Sequence, residues 1–264
     1  MTGAAVLADG LFVNRSALVT GAGSGIGRAI ALRMAELGAT VTIVGRRGEA
    51  LQETCSRATG FRGEVLPMPA DVRDHSAMAA LVADVGAQRG IDVLVNNAGG
   101  QFAAPTTEIS LNGWNAVLDL NLTSVFNITK AAYPFLARSR GAVVNLSLSL
   151  VERGIVGVAH SIAARAGVLG LTRTLALEWA REGIRLNCIG PGRVFTEGMT
   201  DNYPAEVMAA MLSEENPMRR ATTVEEVAEL TAFLASPAAE LMTGQLIQID
   251  GAAHLGSATR LIPE

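Results

Sequence analysis

The sequence predicts a single α/β domain, a doubly wound and mostly parallel sheet with helices on both faces. Two observations predict it: short apolar strands alternate with helical patterns along the whole chain, and a glycine-rich turn joins the first such pair. The 264 residues, 49% hydrophobic and 17% charged, suit one large domain with a substantial core. No repeat, linker or low-complexity tract divides the chain, so we expect one domain over residues 1–264.

Charge, hydropathy and cysteine spacing exclude several classes of function. The net charge of −4 and the lack of a Lys/Arg stripe interleaved with aromatics argue against nucleic acid as the main partner. No run of about 18 apolar residues occurs and no basic segment precedes an apolar one at the N-terminus, so we expect no membrane span and a cytoplasmic location. Cys55 and Cys188 lack partners at metal spacing, which predicts reduced, buried thiols and no metal site.

The first strand, at 17–19, runs into the segment Thr20-Gly21-Ala22-Gly23-Ser24-Gly25-Ile26-Gly27 and then into a helix at about 28–37. Gly21 and Gly25 permit a tight turn, and Gly27 lets the helix approach the strand closely. Free N–H groups at the helix start can then bind a diphosphate. Because no Gly-Lys-Ser/Thr closes the loop, a dinucleotide is favoured over a nucleoside triphosphate, with a purely packing role for the glycines as the alternative.

The second strand, at 41–44, ends in Gly45-Arg46-Arg47 and is followed by a helix at 49–58 and a third strand at 65–68. Sites for the non-phosphorylated dinucleotide usually place an acid at the end of this second strand, on the ribose 2′-OH. An arginine there suits a 2′-phosphate instead, which favours NADPH over NADH. The alternative is that both arginines are simply solvated in a loop.

The middle of the chain predicts a helix from Asp74, its N-cap, to about residue 88, and a fourth strand at 91–95. That strand ends in Asn96-Asn97-Ala98-Gly99-Gly100, a turn whose small residues let the backbone lie against a ligand. A long helix is predicted from about 111 to 137, with Asn121 among apolar neighbours. An interior asparagine needs hydrogen-bond partners, so Asn121 is either a structural bridge or a polar site that holds water.

The last part of the chain predicts strands at 142–146, 184–189 and 246–249, and helices at about 158–181 and 224–234. The sixth strand closes with Gly190-Pro191-Gly192, a sharp turn at its carboxyl end. Residues 193–222 are irregular and have the composition of a mobile lid. Thr223 and Glu226 form a capping box before the final helix.

The glycine loop, the Asn96 to Gly99 turn, Asn121, Pro191-Gly192 and the placement of the lid together resemble the short-chain dehydrogenase/reductase family over essentially the whole chain. The resemblance implies a single Rossmann-type domain, a nicotinamide cofactor, and a homotetramer built on the helices at 111–137 and 158–181. With the glycine loop and the arginines, the expected cofactor-binding residues are Gly21, Ser24, Gly25, Ile26, Gly27, Arg46, Arg47, Asp71, Val72, Asn97, Ala98, Gly99, Arg165, Pro191, Gly192, Val194 and Thr196.

The family's usual catalytic pattern is a Ser followed by Tyr-x-x-x-Lys, with Tyr as proton donor and Lys lowering its pKa. Anchored on Ala166-Gly167, the Lys position is Arg165, the Tyr position is Ser161, and the Ser position falls at about Leu148. A serine hydroxyl is a far weaker acid than a phenol, and an arginine does not titrate. These replacements argue against ordinary ketone reduction.

Three segments, at 160–168, 175–180 and 96–102, are similar to one branch of the family, the peroxisomal trans-2-enoyl-CoA reductases. That branch also has Ser and Arg at the two altered positions, and it reduces the 2,3 double bond of acyl-CoA with NADPH. A tyrosine sometimes assigned as its acid corresponds to Leu169, so the resemblance supplies no proton donor.

Reduction of an enoyl thioester tolerates this loss better than ketone reduction, because its enolate needs hydrogen bonds more than a strong acid. We therefore expect catalytic roles for Ser161, Arg165, Asn121 and His160 in an NADPH-dependent enoyl thioester reductase. His160 could instead cap a helix turn, and Arg165 could serve only to hold the nicotinamide ribose. Two other functions remain open: a carbonyl reductase or alcohol dehydrogenase with an atypical acid, and an inert cofactor-binding protein.

Overall fold

The computed structural model describes residues 7–196 and 216–256. Seven parallel strands form one sheet: β1 (Ser16–Thr20), β2 (Thr40–Gly45), β3 (Glu64–Pro69), β4 (Val93–Asn96), β5 (Ala142–Leu146), β6 (Arg185–Pro191) and β7 (Leu246–Ile249). Their order is β3-β2-β1-β4-β5-β6-β7. The chain reverses direction across the sheet between β1 and β4, and ligands of such folds bind in the crevice at that point.

The helices cover both faces of the sheet: α1 (Gly25–Glu36), α2 (Gly48–Arg57), α3 (His75–Arg89), α4 (Leu111–Leu118), α5 (Ser124–Ser139), α6 (Ala159–Glu178) and α7 (Val224–Ala235). Neighbouring residues of β1 show the two layers. Val19 packs with Ile30 of α1 and Val227 of α7, whereas Leu18 packs with the cluster under α3 and α5. A strand buried on both faces is apolar throughout, which is why no alternating pattern appears in the sequence.

Most predicted elements are confirmed to within a few residues. β5 and β7 have the predicted bounds. Asp74 caps α3 by accepting the N–H of Ala77, and Thr223 and Glu226 form the predicted capping box of α7. None of the described helices is both long and apolar enough to cross a membrane.

The long helix predicted at 111–137 is interrupted, because a π-helical turn at Asp119–Thr123 separates α4 from α5. The side chain of Asn121 donates to the carbonyl oxygen of Val117 at 2.9 Å. It thereby takes the acceptor that the Asn121 N–H would use in a regular α-helix. Single π turns inside α-helices are frequent at functional sites.

Both cysteines were predicted to be buried, and full burial is confirmed for Cys188 alone. Cys188 is buried in β6, Cys55 is half-buried in α2, and both are free thiols. Burial raises the pKa of the Cys188 thiol to about 11, so it stays protonated at neutral pH.

Candidate active site

The glycine loop between β1 and α1 has the left-handed backbone that favours glycine. Gly21 has φ +68° and Gly25 has φ +51°. A Cβ on Gly27 would lie 2.4 Å from both Asn97 Nδ2 and Gly21 O, so no larger residue fits there without movement. The loop therefore requires glycine for two different reasons, its conformation and its packing.

Hydrogen bonds from β4 hold this loop from one side. Thr20 Oγ1 accepts the N–H groups of Asn97 at 3.0 Å and Ala98 at 3.1 Å, and Asn97 Nδ2 donates to Thr20 O at 2.9 Å. The ends of β1 and β4, on either side of the crevice, are thus locked together. Asn97 braces the loop as well as lining the cleft below it.

Two residues that the sequence analysis missed hold the loop from the other side. Arg28 Nη2 donates to Gly23 O at 2.6 Å and to Glu53 at 3.0 Å, and Thr54 Oγ1 donates to Ala22 O at 3.0 Å. Arg28 and Thr54 also contact each other and are buried. No local sequence signal marks them, because they lie 26 residues apart and meet only when α1 and α2 pack together.

The start of α1 fits a diphosphate. Its N-cap, Ser24, makes no side-chain capping hydrogen bond, so its own side chain does not occupy the N–H groups of the first turn. These groups face a cleft of about 290 Å³ that also has Asn97 to Gly99 and Thr196 in its lining. Thr196 reaches over the loop, since a Cβ on Gly25 would lie 3.0 Å from its methyl carbon.

A second part of the cleft, of about 250 Å³, extends toward the ends of β2 and β3. Its lining includes Gly45, Arg46, Arg47, Asp71, Val72 and Arg73, together with Gly21, Ser24, Ala98 and Gly99. Arg46 and Arg47 are exposed at its rim. Arg73, which no motif in the sequence marks, adds a third guanidinium to this end of the cleft.

Arg73 holds the carboxylate of Asp71. Arg73 Nε lies 3.0 Å from Oδ1 and Nη2 lies 2.5 Å from Oδ2. These hydrogen bonds, with a smaller contribution from the charge of Arg46, lower the pKa of Asp71 to about 2. Asp71 is therefore an anion at neutral pH and keeps its capacity to accept a hydrogen bond in the cleft.

Asn121 bridges the π turn to the backbone after β4. Its Nδ2 donates to Gly100 O at 2.8 Å, and its Oδ1 accepts the N–H of Gly100 at 3.1 Å. The same Oδ1 also accepts from Arg165 Nη2 at 3.0 Å. Of the two alternatives for Asn121, these contacts are those of a structural bridge.

Arg165 on α6 lies between the end of β5 and the turn after β4. Its Nη1 donates to Leu146 O, its Nη2 donates to Asn121, and its buried Nε has no partner among the described residues. A Cβ on Gly99 would lie 2.2 Å from Nη2, so the guanidinium lies directly beside the cleft. Burial lowers the pKa of Arg165 to about 10, and the group remains a cation at neutral pH.

Ser161 and His160 lie in the first turn of α6, and both are buried. The N–H of Ser161 donates to His160 Nδ1 at 2.8 Å, so the predicted capping of a helix turn by His160 is present. The ring of Phe102 meets the His160 ring edge-on, 4.4 Å between centroids. Ser161 Oγ makes no hydrogen bond to a described residue, and Ser161 lies one helical turn before Arg165.

The expected cofactor residues after β6 fall into two groups. Thr196 lines the cleft. Pro191 ends β6 and pairs with Ile249 of β7, Gly192 lies against Asp250, and Val194 pairs with Thr222. The N–H of Gly192 donates to Ile249 O at 3.0 Å. Of the predicted lid, residues 197–215 lie outside the described part of the chain.

The chain has one lysine, Lys130, and two tyrosines, Tyr133 and Tyr203. Lys130 and Tyr133 lie on α5, about 13 and 18 Å beyond Asn121 at roughly 1.5 Å per residue. Tyr133 packs against Trp179 with 4.8 Å between ring centroids, so it is part of the packing between α5 and the end of α6. Tyr203 lies outside the described residues.

Comparisons with known proteins agree over nearly the full length. Residues 21–254 match a family described as enoyl-(acyl carrier protein) reductase. A Bacillus subtilis strain 168 protein, named a probable 2,4-dienoyl-CoA reductase producing (2E)-enoyl-CoA, is 38% identical over 90% of this chain and 95% of that protein. The Thermotoga maritima 3-oxoacyl-(acyl-carrier-protein) reductase FabG is 39% identical over 89% and 95%. A solved structure of the citronellol catabolism dehydrogenase AtuB from Pseudomonas aeruginosa PAO1 superposes with TM-score 0.83 and 36% identity, covering 94% and 98%.

Proposed function

Because the chain belongs to the short-chain dehydrogenase/reductase family, we propose that it is an NADPH-dependent oxidoreductase that reduces the 2,3 double bond of an enoyl thioester. What supports the proposal is the pair Ser161 and Arg165, four residues apart on α6, which the family resemblance, anchored on Ala166-Gly167, puts at the positions of the usual Tyr and Lys. Lys130, the chain's single lysine, lies over the Phe126 ring, and Tyr133 packs on Trp179, beyond the end of α6 opposite Ser161, so both side chains have other contacts.

The choice of NADPH is supported by the charge at the ribose end of the cleft. Arg46, Arg47 and Arg73 line it, and Asp71 is paired with Arg73, so the local charge favours an additional phosphate. The unoccupied N–H groups at the start of α1 suit the diphosphate. The cofactor, when bound, supplies the hydride.

The protein's own residues suit an enolate better than an alkoxide. An alkoxide needs a proton donor at the oxygen that forms it, whereas an enolate is less basic and is stabilised by hydrogen bonds. Ser161 Oγ is available to donate such a bond. Arg165 contributes positive charge beside Gly99 and, through Leu146 and Asn121, positions the turn that lines the cleft.

The relatives support two different reactions. The Bacillus subtilis protein is named for reduction of a carbon–carbon double bond, and the Thermotoga maritima protein for reduction of a 3-oxoacyl group. The second name supports the alternative of a carbonyl reductase with an atypical acid. We favour reduction of the carbon–carbon double bond, because the hydroxyl of Ser161, at the usual position of tyrosine, is a far weaker acid than a phenol.

Activity toward two substrates separates these functions. With NADPH, we expect a short trans-2-enoyl-CoA to be reduced and the matching 3-ketoacyl-CoA to be reduced slowly or not at all. The fall in absorbance of the reduced nicotinamide measures both rates. Ser161→Ala should lower turnover of the enoyl substrate by about 100-fold, the loss typical of one donor to a developing oxyanion. Brisk ketone turnover that survives Ser161→Ala would contradict the proposal. Cofactor binding without turnover of any substrate would indicate the inert alternative.

A matched gain-of-function variant tests the assignment of positions. The double variant Ser161→Tyr with Arg165→Lys restores the family's usual pair on the same turn of α6, so we expect it to gain 3-ketoacyl-CoA reductase activity. Neither single variant should gain as much, because Lys acts on the pKa of Tyr. If the double variant folds, binds NADPH and gains no ketone activity, these two positions are not the proton-delivery pair.

We also propose that the protein is a homotetramer with α5 and α6 in its interfaces and that the lid spans about residues 193–222. Exposed apolar side chains on both helices support the first: Phe126 on α5 is 44% exposed and Leu177 on α6 is 82% exposed. The two ends of the lid lie close together, since the N–H of Thr222 donates to Arg193 O at 3.0 Å.

A further inference from the structure

His160 joins two elements near the cleft, α6 and the loop after β4. It lies in the first turn of α6, directly before Ser161, and its side chain is 0% exposed. Its ring is nearly perpendicular to the ring of Phe102, which follows the turn containing Gly99 and Gly100. The ring therefore connects the helix of Ser161 to the loop that lines the cleft.

The hydrogen bond to Ser161 determines which ring nitrogen carries the proton. The N–H groups of a first helical turn have no acceptor within the helix, and His160 Nδ1 accepts the one that belongs to Ser161, at 2.8 Å. A backbone N–H can only donate, so Nδ1 is the unprotonated nitrogen. The ring in this arrangement is neutral, with its proton on Nε2.

The Nε2 atom is buried and has no partner among the described residues. A buried donor without an acceptor is unfavourable, and such groups in native structures call for an explanation. Phe102, 43% exposed and in an irregular loop, is the aromatic group packed on this ring. A substrate bound where the Phe102 ring lies would be next to the His160 ring.

From this geometry we infer that His160 is a neutral hydrogen-bond donor to the thioester oxygen of the substrate, through Nε2–H. The inference rests on the proposed function and assigns to His160 a role in addition to capping. A neutral imidazole at a helix N-terminus that polarises a carbonyl without giving up its proton is an arrangement known from other enzymes.

The reaction that this donor assists needs one hydride and one proton, and neither comes from His160. As a hydride adds to Cβ, the electron pair of the 2,3 double bond moves toward the thioester carbonyl, and negative charge develops on its oxygen. Nε2–H donates a stronger hydrogen bond to this oxygen and keeps its proton, alongside Ser161 Oγ–H. The enolate then collapses as Cα takes one proton from water, giving the saturated thioester.

Two substitutions separate the donor role from the capping role. His160→Asn keeps an acceptor near Nδ1 for the Ser161 N–H but has no donor at Nε2. His160→Gln places an amide donor near the Nε2 position but loses the cap. We expect His160→Asn to keep the Tm and the NADPH affinity while kcat falls about 100-fold, and His160→Gln to retain more kcat although its Tm falls by about 2–4 °C.

A higher kcat in His160→Asn than in His160→Gln would overturn the inference. If His160→Asn turns over like the wild type, and kcat in His160→Gln and His160→Ala falls in parallel with Tm, the ring is only a cap. Each variant is measured with its NADPH dissociation constant, so that a collapsed cofactor site is recognised separately.

The tautomer gives a readout that does not depend on turnover. The chain has three histidines, and in a ¹⁵N–¹H spectrum near neutral pH the signals lost in His160→Asn identify this ring. We expect the Nε2-protonated tautomer, and a shift of the Nε2 resonance when NADP⁺ and a saturated acyl-CoA are added together. An Nδ1-protonated or cationic ring, or no shift with acyl-CoA, overturns the inference. If instead enoyl-CoA is not reduced but the shift is seen, the proposed reaction fails while the contact of His160 with the thioester stands.

Discussion

The first prediction at the scale of single residues concerns Arg46, which follows the end of β2. An acidic residue at this position would repel the 2′-phosphate of NADPH. Hydrogen bonds to charged groups contribute about 1.5–3 kcal/mol. We therefore expect Arg46→Ala to raise the dissociation constant for NADPH about 10- to 100-fold and to change that for NADH by less than about twofold. Calorimetry with both nucleotides measures the difference. Arg89→Ala, an exposed arginine at the end of α3, is the control, and an equal loss for both nucleotides would argue that Arg46 only supports the loop.

A second residue-scale prediction concerns Asp71 in acid. Its pKa is about 2 in the folded protein because of Arg73, below its usual value of 3.8. A depressed carboxyl pKa stabilises the folded state above the unfolded value, and this contribution is lost as pH falls through the folded value. Asp71→Asn should therefore lower Tm above about pH 5 and show a shallower loss of Tm between about pH 4 and pH 2. Asp84→Asn on α3 should follow the wild type, and a parallel Asp71→Asn curve would show that the pair contributes nothing.

At the scale of elements, the first βα turn depends on Gly27 more than on any cap. A Cβ there would lie 2.4 Å from Gly21 O, a backbone atom that cannot move without distorting the turn. We expect Gly27→Ala to abolish measurable NADPH binding while the circular dichroism of the folded protein is kept. Gly170→Ala is the matched control, since a Cβ on Gly170 in α6 meets nothing within 4 Å, and it should bind NADPH normally. Normal binding by Gly27→Ala would refute this account of the turn.

The π turn is the other element-scale feature, and it explains how Asn121 reaches Gly100. The extra residue in that turn rotates Asn121 relative to a regular helix, and its side chain then ties α4 and α5 to the backbone after β4. Arg165 adds a third element, α6, to the same oxygen. The turn that lines the cleft is thus held by the π turn between α4 and α5 and, through Asn121, by α6, besides its own strand.

At the scale of the whole molecule, assembly is tested by one exposed side chain. Phe126 is 44% exposed on α5, with Lys130 Nζ 5.8 Å from its ring. We expect the wild type to sediment as a tetramer and Phe126→Glu to sediment as a smaller species, because the apolar contact of the ring would be lost and a charged side chain, even one paired with Lys130, would be desolvated in the interface. Val13→Glu, also at a 44% exposed apolar residue, is the control. A wild-type monomer, or an unchanged Phe126→Glu tetramer, would contradict the proposed interface.

The sequence alone determined the parts of this protein that depend on local chemistry. The alternation of strands and helices, the bounds of β5 and β7, and the caps at Asp74 and Thr223 follow from residues near one another in the chain. So does the conformation of the glycine loop, because Gly21 and Gly25 adopt backbone angles that other residues disfavour. Each of these signals is contained in a few consecutive residues.

Only the tertiary structure decided which distant residues meet. It brought Arg28 to Thr54, Asn97 to Thr20, and Asn121 to both Gly100 and Arg165. The physical reason is that polar side chains buried by packing take whichever partners the neighbouring elements offer, and those partners are not encoded by spacing along the chain.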